Sequence, residues 1–174
     1  MKYLVFTSLF LYSSLCSALD IRIMETKDSY LTKKNEFIGF GCKGSNLSPK
    51  IQITDLPKGT KSLALTVYDP DAPTGGGWWH WLAFNIPVSK TTIEQGAKSL
   101  KKLGVVESMT SYGSVGYGGA CPPAGDTPHR YIFKVYALKV DKLDLKSSAT
   151  PSIVGYNLNA NAIATASSTV LYGR

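Results

Sequence analysis

The sequence predicts a single, mostly-β domain preceded by a removable leader. Three observations carry that prediction. Turn formers and strand-forming aromatics are abundant together, with 16 Gly, 9 Pro and 10 Tyr, a combination that suits short strands joined by tight turns. Several runs alternate apolar and polar residues with the period of two of a half-buried strand. A chain of 174 residues, 44% hydrophobic and 18% charged, supports one ordinary core and is unlike a disordered, collagen-like or coiled-coil protein. The formal charge of +7 would suit nucleic acid or an anionic membrane. However, basic residues gather only at Lys33-Lys34 and at Lys98, Lys101 and Lys102, which read as solvated faces and not as a nucleic-acid stripe.

The leader comes first. Met1-Lys2 opens with a positive charge, Tyr3 to Leu15 is uncharged and apolar, and Cys16-Ser17-Ala18 places small residues at −3 and −1 of a cleavage point after Ala18. This is the pattern of a secretory signal peptide over 1–18, and the run is short for a permanent membrane helix. A core helix is the structural alternative. A lipoprotein reading through Cys16 is disfavoured by the bulky Leu15 before it. The expected mature domain is Leu19–Arg174, periplasmic or secreted, without permanent membrane insertion. Export leaves Cys42 and Cys121, which have one intramolecular pairing available in an oxidising compartment. A disulfide and two separate buried thiols are the two readings.

Along the mature chain, Asp20–Glu25 alternates as a strand, Glu36–Cys42 is a short extended candidate, and Gly41–Asn46 is a loop. Ser48-Pro49 opens a strand over Lys50–Thr54, and Pro57-Lys58-Gly59 turns the chain. Ser62–Asp69 is a buried strand with Leu63, Leu65 and Val67 on one face. Asp69–Gly77, with two prolines and three consecutive glycines, is a loop. Trp78–Ile86 is an aromatic strand that Pro87 stops. Thr91–Leu103 has weak helical character, and Gly104–Gly125 reads as a long irregular connection of the kind that carries function. Arg130–Val140 is a strand, Pro151–Asn157 a short helix with proline at its start, and Ala162–Tyr172 a last strand.

The chain has two histidines. Each begins a predicted strand after a Pro/Gly-rich loop. Residues two apart on a strand share a face, so His129 aligns with Tyr131, and His80 with Trp78 and Leu82. Asp69 and Asp71 sit two apart where another strand ends. If these ends meet, one pocket holds two carboxylates, two imidazoles and a phenol beside tryptophan. Imidazole and phenol groups donate hydrogen bonds to an anion. The carboxylates would orient histidine and accept bonds from loop amides. The glycines of Gly116–Gly119 would bring backbone N–H groups to a ligand. The spacing lacks a tight histidine pair for metal and a Gly-x-Ser-x-Gly elbow for hydrolysis. The residues therefore suggest a small phosphate or carboxylate site in a protein that is not an enzyme and uses no cofactor.

Four motifs in order carry a resemblance: Asp69-Pro70-Asp71-Ala72-Pro73, Trp79-His80-Trp81, Tyr117-Gly118-Gly119-Ala120-Cys121-Pro122-Pro123 and Pro128-His129-Arg130-Tyr131. Together with Cys42-Lys43-Gly44-Ser45-Asn46-Leu47-Ser48-Pro49 and the terminal Leu171-Tyr172-Gly173-Arg174, they resemble the phosphatidylethanolamine-binding protein family, in its bacterial Raf-kinase-inhibitor-like branch of the YbhB/YbcL type. The resemblance runs from about Asp20 to the C-terminus. It implies a β-sandwich-like core with a large antiparallel sheet and short peripheral helices. It also implies a ligand pocket made of Asp69, Asp71, Trp78, His80, Pro122, Pro123, His129 and Tyr131, with Arg130 in a supporting role. A cis bond at one Asp-Pro or Ala-Pro step of the first motif follows by the same likeness.

Two features depart from the family pattern: Thr127, where glycine is usual, and an Asn-rich Ser152–Asn161 in place of a charged helix that often borders the pocket. The expected ligand is a small anionic or phosphorylated group of the phosphoethanolamine type. The alternatives are a module that binds an envelope protein, protease or kinase, and a hydrolase using a pocket histidine as base.

Overall fold

The computed structural model describes residues 18–97 and 100–174. The predicted leader over 1–18 lies almost wholly outside the described residues, as does Lys98 of the basic cluster. Ten strands follow in order: β1 (Asp20–Ile23), β2 (Ile38–Gly39), β3 (Cys42–Lys43), β4 (Ile51–Thr54), β5 (Ser62–Asp69), β6 (Trp78–Pro87), β7 (Thr92–Ile93), β8 (Val106–Glu107), β9 (His129–Leu138) and β10 (Ala162–Tyr172). A helix, α1 (Pro151–Asn161), precedes the last strand.

The strands form a five-stranded antiparallel sheet in the order β10-β9-β5-β6-β8, a three-stranded sheet β1-β4-β7 and a small hairpin β2-β3. Alternation along β5 and β9 explains the layering. Leu63, Leu65 and Val67 of β5, with Tyr131, Phe133, Val135 and Ala137 of β9, face Ile21, Ile23, Ile51, Ile53 and Ile93 of the smaller sheet across one core. The intervening Ala64, Tyr136 and Leu138 face the other way, where Val154 and Leu158 of α1 cover them. Those two helix residues are four apart and lie on one face. Burying each contributes about 1.5–3 kcal/mol. This is the β-sandwich with one large antiparallel sheet that the resemblance implies.

The structure revises several local expectations. Glu36–Cys42 is not one extended run, because the chain reverses at Phe40-Gly41. Both residues have positive φ, 53° and 81°, as a two-residue hairpin turn requires. Phe40 is a non-glycine residue in that conformation, so the turn begins one residue before the loop expected at Gly41, and Cys42-Lys43 is strand. Thr91–Leu103 holds the short strand β7 and a 3-10 turn at Leu100–Leu103, and Gly104–Gly125 contains β8. The helix runs four residues beyond Asn157. All peptide bonds among the described residues are trans, so the cis proline step that the resemblance implies is not present.

Strand β6 carries a bulge at the site. Val67 pairs with Trp81 and Tyr68 with Trp79, which leaves His80 as an extra residue. The bulge changes the phase of the strand. Trp78 and His80 share a side as expected, but Leu82 turns to the helix-covered core and Trp81 joins the sandwich core.

Candidate functional site

Antiparallel pairing brings the C-terminal end of β5 beside the N-terminal ends of β6 and β9. Asp69 pairs with Trp78, and Tyr68 with Ile132. A cavity of about 170 Å³ opens at this junction, lined from the strands by Asp69, Trp78, His80, His129 and Tyr131, and at its rim by Phe40, Tyr112, Pro122 and Pro123. Seven of the eight residues singled out from the sequence line this one space. Asp71 does not.

Asp69 is the anchor of the floor. It is buried, and one carboxylate oxygen accepts the backbone N–H groups of Asp71 (2.8 Å) and Ala72 (3.1 Å). The other accepts Nδ1–H of His129 at 2.8 Å. A carboxylate only accepts, so Nδ1 of His129 carries hydrogen, while its Nε2 lies 3.7 Å from the half-exposed Asp126 carboxylate. The Asp-Pro-Asp-Ala-Pro loop is thus folded back on the carboxylate that positions the histidine.

His80 is held differently. Its Nδ1 lies 2.8 Å from the Gly118 carbonyl oxygen, while Gly118 N–H donates to the His80 carbonyl at 2.8 Å. A carbonyl oxygen also only accepts, so the neutral ring bears its hydrogen on Nδ1 and a lone pair on Nε2. That Nε2 is buried with no hydrogen-bond partner. Burial pushes the ring down to about 4 from its ordinary 6.5, because a charged imidazole is poorly solvated there. The Tyr131 hydroxyl and the Trp78 indole Nε1 are likewise buried and unpartnered. Burial holds the Tyr131 and Tyr112 phenols above their ordinary range, so both stay protonated.

Asp71 faces away from the cavity into a bidentate pair with Arg130, Oδ1 to Nη2 at 2.6 Å and Oδ2 to Nε at 2.9 Å, and also accepts the Arg130 backbone N–H at 2.9 Å. Hydrogen bonding from Arg130 holds the Asp71 carboxyl down to about 2. Arg130 has the supporting role implied for it, and Asp71 shares that role, clamping the 69–77 loop to the start of β9.

The expectation that Gly116–Gly119 offers amides to a ligand is revised. Gly118 N–H is spent on His80, and Gly119 N–H donates to Asn46 Oδ1 at 2.7 Å. Glycine is needed for close approach instead. A Cβ on Gly119 would lie 2.3 Å from the Asn35 carbonyl oxygen, and one on Gly118 would lie 2.4 Å from the Tyr112 ring.

The rim contains residues that the sequence reading did not single out. Tyr112 stacks on Phe37 with ring centroids 4.2 Å apart, meets Trp78 and His80 edge-on at 5.3 and 5.5 Å, and donates its hydroxyl to the Gly119 carbonyl at 2.7 Å. Phe40, 70% exposed, stands at the mouth on the β2-β3 turn beside Ile38, 62% exposed. A disulfide joins Cys42 of β3 to Cys121 beside Pro122, with Cα atoms 6.0 Å apart. Buried Glu36 ties the hairpin down, accepting from Lys33 Nζ at 2.5 Å, from the Lys43 N–H at 2.6 Å and from the Tyr172 hydroxyl. Burial alone would raise the Glu36 carboxyl, but these bonds outweigh it and hold it below its ordinary value. Arg174 Nε donates to the Pro122 carbonyl at 2.7 Å.

Neither departure from the family pattern disturbs the pocket. Thr127 is exposed with no left-handed backbone to strain. The Asn-rich helix α1 packs on the opposite face of the large sheet. Among the described residues, no group of three or more His, Cys, Asp or Glu side chains is placed to hold a metal ion.

Known proteins are similar to this chain in sequence and in fold. The family model described as phosphatidylethanolamine-binding protein matches residues 27–173. The UPF0098 protein YbcL of Escherichia coli is 48% identical over 166 residues, covering 92% of this chain and 91% of its own length. The UPF0098 protein YbhB of the same organism is 43% identical over 145 residues, covering 82% and 91%. The crystal structure of E. coli YbcL, described as a new member of the mammalian PEBP family, superposes with a TM-score of 0.85 at 46% identity, covering 91% of this chain and 99% of that one. A putative PEBP homologue from Chlamydia trachomatis gives 0.71 at 29% identity, covering 90% and 98%. With its sandwich, its four motifs and this extent of similarity, the chain belongs to the phosphatidylethanolamine-binding protein family.

Proposed function

We propose that this protein is an exported binding protein whose pocket holds a small anionic or phosphorylated group, without chemical turnover. One observation carries the reading: buried, unpartnered polar atoms of Trp78, His80 and Tyr131 border the same small cavity as His129. Buried polar groups are normally paired, and orphaned ones cost about 1–3 kcal/mol each. A ligand oxygen accepting from the Trp78 N–H and the Tyr131 O–H recovers that cost. His129, held by Asp69, adds a third donor whenever its ring bears both hydrogens. The Asp69 charge is already met by three N–H donors, which reduces its repulsion of an incoming anion.

Cavity size favours a head group over acyl chains, since sites for drug-sized ligands are larger, about 300–1,000 Å³. The apolar N-terminal run and the Cys42–Cys121 disulfide support an oxidising, extracytoplasmic compartment. The reading is tested by thermal-shift titration with phosphate, phosphoethanolamine and acetate. Stabilisation by the phosphorylated ligands that is lost in His129→Ala is expected. No stabilisation by any of the three anions would refute the pocket assignment, and turnover of a phosphate-ester or carboxyl-ester panel would refute the non-enzymatic part.

A further inference from the structure

We infer that the pocket binds its anion together with one extra proton, which lies between a ligand oxygen and Nε2 of His80. The inference rests on the pocket reading above and adds the protonation state of the ligand to it.

The geometry is specific at three atoms. The Gly118 carbonyl consumes the Nδ1–H of His80, which leaves Nε2 as a bare acceptor. Trp78 Nε1 can only donate, and the Tyr131 hydroxyl is free to donate. All three atoms are buried without partners beside one cavity. Two donors and one acceptor do not match a fully ionised oxyanion, which would set a lone pair of its own against the lone pair of Nε2. They match a group that combines charged oxygens with one O–H, such as the monoanion of a phosphate monoester.

The groups facing His80 leave it as the open base. Asp69, at the end of β5, already accepts from His129 and from the amides of Asp71 and Ala72. His129 at the start of β9 points Nδ1 at Asp69. Tyr131 on β9 and Tyr112 on the 108–120 segment meet the His80 ring edge-on and stay neutral. Burial keeps the free imidazole neutral at physiological pH, so the empty protein does not carry the proton in advance. Below the second ionisation of a phosphate monoester, near pH 6, the ligand brings it. Above that pH, solvent supplies it on binding. Whether it rests on oxygen or nitrogen in the complex, the count is the same.

Calorimetric titration of the purified protein tests this, with methyl phosphate and methyl sulfate from pH 5 to 8 in two buffers of different ionisation enthalpy. Methyl sulfate has the same shape but no ionisable proton in this range. The expected result is uptake of about one proton per site for methyl phosphate at pH 8 and nearly none at pH 5. Apparent affinity should fall about tenfold from pH 7 to 8, as one linked proton requires. Methyl sulfate should bind at least about tenfold more weakly at pH 6, since burial leaves few His80 rings able to donate. The ¹⁵N resonance of His80 Nε2 should move from bare to hydrogen-bonded or protonated on saturation with methyl phosphate. Binding of methyl phosphate at pH 8 with no proton uptake, or equal binding of both anions at pH 6, would overturn this inference and leave the pocket reading intact. No binding of either anion at any pH would overturn the pocket reading, and this inference with it.

Discussion

The floor and the rim of the pocket are built by different means. The floor residues Asp69, Trp78, His80, His129 and Tyr131 sit on three adjacent strands, so sheet register sets their spacing. The rim residues Phe40, Tyr112, Pro122 and Pro123 sit on loops that hydrogen bonds, stacked rings and a disulfide tie to one another. Preorganised groups on rigid elements suit recognition, whereas loops suit access. Under the binding function proposed above, ligand chemistry belongs to the floor and entry to the rim. Perturbing the floor should therefore remove binding, while perturbing the rim should change stability and access.

The largest effect is expected at the floor. Asp69→Ala leaves His129 and two loop amides without their acceptor and should cost about 3–5 kcal/mol, as breaking a buried pair does. Anion binding should be lost with it, which urea unfolding and a ligand titration would measure together. At the rim, Cys42 and Cys121 are 79 residues apart in sequence. Replacing both with serine should cost about 2–5 kcal/mol, yet leave measurable binding in the protein that remains folded. Equal loss of binding in the two variants would erase the distinction.

A smaller effect separates the histidine held by a carbonyl from the rest of the floor. Burial lowers His80 from 6.5 to about 4 in the folded protein, so the unfolded state binds the extra proton between those values. This contribution to stability is complete above pH 6.5 and is lost as pH falls towards 4, at up to about 1.4 kcal/mol per pH unit. Denaturation at several pH values, comparing wild type with His80→Gln, isolates it. The smallest effect is expected at Asp71. Asp71→Asn breaks a largely exposed pair with Arg130 and should cost no more than about 1 kcal/mol. Its carboxyl is depressed to about 2, so the contribution is present above 3.8 and lost as pH falls through 2. Anion affinity should be unchanged, because Asp71 does not line the cavity.

The same division decides what could be read from the sequence. Strands β5 and β10 match their predicted limits because flanking turn residues mark them, and Asp69 of the floor lies at the marked end of β5. A strict period of two puts Leu82 beside His80, but a bulge at His80 breaks that period, and no residue type announces a bulge there. Spacing places Asp71 near the site without saying that Arg130 takes both its oxygens. Tyr112 and Phe40 reach the pocket through long-range packing across the 104–125 segment and the β2-β3 turn, which local pattern does not encode. The glycines of Gly116–Gly119 were legible as a close approach, but the approach is to Tyr112 and the Asn35 carbonyl and not to a ligand.

Ligand binding at the floor is read most directly by a ¹H–¹⁵N NMR titration of the indole N–H groups with phosphoethanolamine. Trp78 Nε1 borders the cavity without a partner, whereas Trp81 Nε1 is bound to Glu107 at 2.6 Å and serves as the control within the same molecule. Binding at the floor should give a saturable downfield shift of the Trp78 resonance while that of Trp81 stays in place. A Trp78 resonance that does not move at saturating ligand, or one that moves only together with Trp81, would contradict it.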